Sequence, residues 1–207
     1  SFARLALSKT NIKINVLIRP RPGNFVYSDD EFSIICQDIQ IFKELGVNGI
    51  VCGVLTKNGD IDVARTKLLV ELSKPLEFTF HRAFDNCRNK EKAINDVILT
   101  GANRILTSGF EKNVWEGMEN IIELHKNYGH LIKIMPGGGI DKQNAKIFLE
   151  NGIDEIHLSA GVFEIETNYT NIKLGGMGHQ ISGDKYGYKN SNIEIIQDIV
   201  NLKSTTK

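Results

Sequence analysis

The chain is poor in cysteine, and the three it has are far apart. Cys36, Cys52 and Cys87 in 207 residues form no CxxC or other close pair. A disulfide framework is therefore excluded, and a reducing compartment fits the composition. The sequence also lacks a His-x-x-x-His pair and a facial triad, so spacing supports no preformed high-affinity metal site. No G-x-S-x-G elbow occurs, which argues against a serine hydrolase. Charge of one sign is missing too: 25 basic side chains balance 25 acidic ones. Long-range attraction to nucleic acid or anionic lipid has no basis, and the lysines near the C-terminus read as a solvated tail. No apolar run approaches the roughly 20 residues of a membrane span, and Ser1-Phe2-Ala3-Arg4-Leu5-Ala6 lacks the longer apolar region expected of a signal peptide. The expectation is a cytoplasmic protein with neither a nucleic-acid nor a membrane partner.

With 41% hydrophobic residues, the chain can bury a substantial core, and one domain over residues 1–207 is the simplest count. Apolar, β-branched runs at residues 14–17, 76–79 and 132–134 each end in a short polar stretch that leads into a helical pattern. The stretches are Ile18-Arg19-Pro20-Arg21, Phe80-His81-Arg82-Ala83-Phe84-Asp85 and Met135-Pro136-Gly137-Gly138-Gly139. Strands are expected at residues 14–18, 49–55, 76–80, 104–107, 131–135 and 155–159. Helices are expected at 63–72, 90–99, 114–128, 142–150 and 192–202, with another opened by the capping box Ser28–Glu31 and closed by Gly46. Residues 2–9 read as the end of a helix. Residues 162–190 show no convincing periodic element beyond a possible strand at 172–174. Six strand–helix units fit either an open doubly wound sheet or part of a (β/α)₈ barrel.

Strand alternation sorts the chemistry. In Glu77-Phe78-Thr79-Phe80-His81 the phenylalanines share the helix-facing side, leaving Thr79 and His81 on the other; His157 and Ser159 oppose Ile156 and Leu158 in the same way. Several polar residues on inner faces point to a shared wet pocket. His81 is the candidate acid or base, with Arg82 and Asp85 close behind it. Asp85 could orient His81 or pair with Arg82, and an Arg–Asp pair that fixes the loop is the plainer alternative. Arg19 and Arg21 suit an anion, since guanidinium forks match carboxylate and phosphate oxygens. Gly137, Gly138 and Gly139 before a helix start, together with Ser159, form a plausible phosphate cradle.

Taken in order, Asn15-Val16-Leu17-Ile18-Arg19-Pro20-Arg21-Pro22-Gly23-Asn24-Phe25, Gly53-Val54-Leu55, Thr79-Phe80-His81-Arg82-Ala83-Phe84-Asp85, Leu106-Thr107-Ser108-Gly109, Met135-Pro136-Gly137-Gly138-Gly139 and His157-Leu158-Ser159-Ala160 resemble the signature of the CutC family, the copper homeostasis proteins. The resemblance is strongest over residues 1–161, leaving 162–207 as a variable loop and C-terminal helix. It implies a TIM-type (β/α) barrel with about six of eight units visible and the N-terminal units missing. Strands 14–18 and 155–159 would then be edges. It further implies copper binding or trafficking, for which Cys87 and His81 are the candidate ligands, and it leaves a homo-oligomer open. The alternative is a barrel enzyme acting on a small phosphorylated or carboxylated metabolite, with His81, Arg82 and Asp85 as its catalytic set.

Overall fold

The computed structural model describes residues 2–165, 180–182 and 185–205. Its frame is a five-stranded parallel sheet in sequential order: β1 (Asn15–Leu17), β2 (Gly49–Cys52), β3 (Glu77–Phe80), β4 (Arg104–Thr107) and β5 (Lys133–Pro136). Helices α2 (Asp29–Leu45), α3 (Val63–Ser73), α4 (Lys90–Thr100) and α5 (Met118–Tyr128) connect them, and α6 (Lys142–Glu150) follows β5. The helix α1 (Phe2–Lys9) precedes β1. Sequential parallel order with a helix after every strand is the wall of a (β/α) barrel, because each right-handed crossover adds the next strand to the same edge.

The local chemistry that sets these elements is explicit. Ser28 and Glu31 form the capping box of α2, and Gly46 ends that helix at φ 84°, a conformation that costs glycine little. Phe78 and Phe80 are fully buried, as are Ile35, Ile39, Leu69, Ile94 and Ile121 from the helices. The opposite face of β3 carries Thr79, which accepts a hydrogen bond from Arg104 Nη1 at 3.0 Å. Alternation thus separates a helix-facing core from an inner face that bears the polar groups.

Two expectations change. The strand expected at 155–159 is reduced to a single parallel bridge, His157 opposite Gly137. Residues within 162–190, read as lacking a regular element, contribute to a three-stranded antiparallel sheet. It comprises β6 (Gly161–Ile165), β7 (Gln180–Ser182) and β8 (Lys185–Ser191), in the order β6-β8-β7. The pairing of Gly161 with Ser191 is long-range, so no local pattern announced it. The possible strand at 172–174 lies outside the described residues. The helix α7 (Ile193–Thr205) closes the described chain, with Lys142 of α6 ion-paired to Asp198. Among the described residues, β1 pairs only with β2.

Candidate functional site

The C-terminal ends of the strands carry the residues singled out above, and the structure divides them into two groups. One gathers around His81, which is 5% exposed. Its Nδ1 accepts from the Ala83 N–H at 3.2 Å. The imidazole lies 4.8 Å from the Phe25 ring, and the Arg19 guanidinium sits 4.6 Å from the centroid of that ring. Gly53, at the exit of β2, is what admits the imidazole: a Cβ there would stand 2.7 Å from His81 Nδ1. Burial, assisted by the nearby Arg19 charge, lowers the His81 pKa to about 4. The ring is therefore neutral at pH 7, and with Nδ1 accepting, its proton resides on Nε2. That Nε2 is buried and finds no partner among the described residues.

The second group forms on the other side of the same strand exit. Arg82 donates from Nε to Asp85 Oδ2 at 2.8 Å and from Nη2 to the Ser108 hydroxyl. Asp85 also accepts from the Ser108 N–H at 3.0 Å, the Phe110 N–H at 3.2 Å and the Thr107 hydroxyl. Of the two arrangements open from the sequence, Asp85 thus takes the pair with Arg82 and ties the β3 exit to the β4 exit. A Cβ on Gly138 would meet Arg82 Nη1 at 2.7 Å. Gly138 and Gly139 hold φ of 109° and 90°, and neither N–H donates a hydrogen bond among the described residues. Thr107 and Ser108, both fully buried, are members of this group that sequence reasoning did not assign a role. Their signal was a pair of hydroxyls at a strand exit.

Four expected participants stand apart. Arg21 directs Nε and Nη2 to Glu31, Nη2 also to the Val26 carbonyl, and Nη1 to the carbonyls of Pro22 and Asn24. Its donors are engaged within its own loop and the α2 cap. Ser159 accepts from the Gly161 N–H and lines a cavity of about 350 Å³ against α6 and α7. The start of α6, expected to lend its N–H groups to an anion, is capped by Asp141, which accepts from Gln143 and Asn144. The fourth is Cys87: its Sγ faces the Ala83 carbonyl, and burial with the charges of Asp60, Asp85 and Asp96 pushes its pKa up to about 12.

At the opposite, N-terminal ends of the strands, Arg104 is buried between Glu77, Glu155 and Thr79. Lys133 also reaches Glu155, and these charged groups line a cavity of about 440 Å³. Burial disfavours the Glu155 carboxylate, but hydrogen bonds from Arg104 and Lys133 outweigh it and hold its pKa down at about 2. This network stitches the start of the sixth unit to β3, β4 and β5.

A copper centre was tested against the donors present. Among the described residues no group of three or more His, Cys, Asp and Glu side chains is placed to hold a metal ion. Burial raises the pKa of all three thiols, to about 12 for Cys52 and Cys87, whereas Cu(I) takes thiolate. The described donors thus form no preformed copper centre of three or more ligands. No described helix is long and apolar enough to cross a membrane.

Comparison with known proteins places this geometry. The model of the CutC family matches residues 2–162. A CutC protein of Vibrio cholerae serotype O1 is 48% identical over 147 residues, 70% of this chain and 58% of that protein. One from Chromobacterium violaceum is 39% identical over 191 residues, covering 90% of this chain and 76% of its own length. The crystal structure of CutC from Streptococcus agalactiae, provisionally designated a copper homeostasis protein, superposes with a TM-score of 0.69 at 34% identity, over 75% of this chain and 77% of that one. An aldolase named QR15 shares the fold alone, with a TM-score of 0.61 at 20% identity over 74% of this chain and 72% of that one. The fold is of the TIM-barrel type, and the chain belongs to the CutC family.

Proposed function

We propose that the strand-exit rim binds a small phosphorylated or carboxylated ligand. The observation that carries this reading is the approach of Arg82 to Gly138, beside two glycine N–H groups without partners among the described residues. A guanidinium held by a carboxylate and a hydroxyl is oriented before a ligand arrives, so little ordering entropy remains to be lost. Backbone N–H groups at positive-φ glycines complete an anion-binding concavity. Arg19, exposed and stacked on Phe25, adds positive charge, and His81 supplies a neutral imidazole at the inner mouth. With Asp85 fastening Arg82, these residues make a barrel enzyme acting on a small anionic metabolite the reading that uses most of the rim.

The test is titration of inorganic phosphate, followed calorimetrically, into the protein and into Arg82→Gln. Binding that falls at least about tenfold in the variant is expected, the loss of roughly one charge-assisted hydrogen bond. No binding, or equal binding by both proteins, would overturn the proposal.

Family membership and the designation of the Streptococcus agalactiae relative support a part in copper homeostasis. Because the described thiols are protonated and scattered, we assign that part to the anionic ligand rather than to copper held by Cys87 and His81. Competition against a Cu(I) chelator decides the point: copper retained by the chain and lost on Cys87→Ser would contradict it. A cytoplasmic setting accords with three unpaired thiols.

A further inference from the structure

Building on the anionic reading of the rim, we infer that its ligand also carries a carbonyl oxygen, which accepts a hydrogen bond from His81 Nε2. The ligand class is therefore a short phosphorylated or carboxylated aldehyde, ketone or oxo acid. The His81 Nδ1 is occupied by the Ala83 N–H, so a neutral ring has only Nε2–H to offer, and only as a donor. A buried N–H without a partner is destabilising, and such groups are rare enough in folded proteins to call for a reason.

The surroundings supply one. His81 continues the face of β3 that carries Thr79, and Thr79 contacts Arg104, so the ring belongs to the inner mouth of the barrel. Gly53 removes the side chain that would block it, and the Phe25 and Phe80 rings flank it at 4.8 and 6.1 Å. A protonated imidazole would be penalised there. A neutral donor in an apolar site instead favours an oxygen that gains negative charge, as a carbonyl does when a proton is removed beside it. Phe25 is the aromatic ring nearest the imidazole, and it can turn about side-chain bonds alone. His81 and Arg82 are consecutive, with their side chains directed toward the β1–β2 exits and the β4–β5 exits respectively. The proposed ligand places its oxygen on the first and its anion on the second.

The experiment compares dihydroxyacetone phosphate with glycerol phosphate, which differ by one ketone, and includes inorganic phosphate as the bare anion. The ketone is expected to bind about five- to tenfold more tightly than the alcohol, the worth of one net hydrogen bond. His81→Phe should abolish that preference while phosphate affinity persists. Independently of ligand, nitrogen NMR of the whole protein at pH 7 should show Nε2 protonated and Nδ1 bare. If no anion binds at all, the reading of the rim fails and this inference with it. If phosphate binds through Arg82 but ketone and alcohol bind equally, the inference alone is overturned. A proton found on Nδ1 overturns it as well.

Discussion

Arg82 Nη1 lies 2.7 Å from the point where a side chain on Gly138 would begin. The guanidinium and the glycine are complementary: the arginine occupies the volume that any other residue would fill. Gly138 also holds φ 109°, a region L side chains rarely enter. Two independent restrictions thus fall on one residue of the triglycine turn.

Gly138→Ala should expose both restrictions. The strained backbone should cost about 1–3 kcal/mol in urea unfolding, and the displaced guanidinium should weaken inorganic phosphate binding at least as much as Arg82→Gln does. Retention of both stability and phosphate binding would show that Arg82 and the glycine turn do not act together.

Asp85→Ala should be more damaging than its size implies. The carboxylate accepts from Arg82, Ser108, Phe110 and Thr107, and its side chain is 7% exposed. Several buried donors would lose their partner, at about 1–3 kcal/mol each. A total loss of at least about 3 kcal/mol is expected by chemical denaturation, together with weaker phosphate binding. A change below roughly 0.5 kcal/mol, the range of ordinary surface substitutions, would remove Asp85 from the framework of the rim.

Much of the rim was legible because a period of two is enough to divide β3. Phe78 and Phe80 are buried against the helices, and Thr79 and His81 take the other face. The Ser28–Glu31 box was likewise readable, since both partners are local. What escaped depended on register between distant segments. Arg21 looked available because its partner Glu31 had already been accounted for as a helix cap. The role of Ser108 follows from the β3–β4 pairing, which sets Thr79 against Arg104 and so brings the two strand exits together. The antiparallel pairing of β6 with β8 was hidden by Gly187, Lys189 and Asn190, which interrupt any apolar alternation.

Arg104→Met tests the network at the other end of the strands. The substitution leaves Glu155 with Lys133 and Glu77 without its buried partner. Removing one member of a fully buried pair costs about 3–5 kcal/mol; with both carboxylates partly exposed, a loss of about 2 kcal/mol is expected. The variant should also lose part of its acid sensitivity. In the native protein the Glu155 pKa of about 2 lies below its ordinary 4.5. Its stabilising contribution is therefore present above pH 4.5 and disappears as pH falls toward 2. A flatter stability profile across that window is the expected signature, and an unchanged profile would mean that Arg104 does not hold the carboxylate.

His81 governs a different window. Its folded pKa of about 4 lies below the ordinary 6.5, so between these values the unfolded chain binds a proton that the folded chain refuses. Stability must then rise with pH across the interval and level off above about 6.5. Acidification from pH 7 to below 4 should remove on the order of 3 kcal/mol through this residue, from about 1.4 kcal/mol per pKa unit. The measurement is a series of urea unfolding curves at successive pH values for the native chain and for His81→Gln. The difference between the two profiles cancels the other histidines and should slope only between about 4 and 6.5. Equal slopes for both proteins would mean that the imidazole titrates in its usual range, so it would no longer be a neutral donor through that interval.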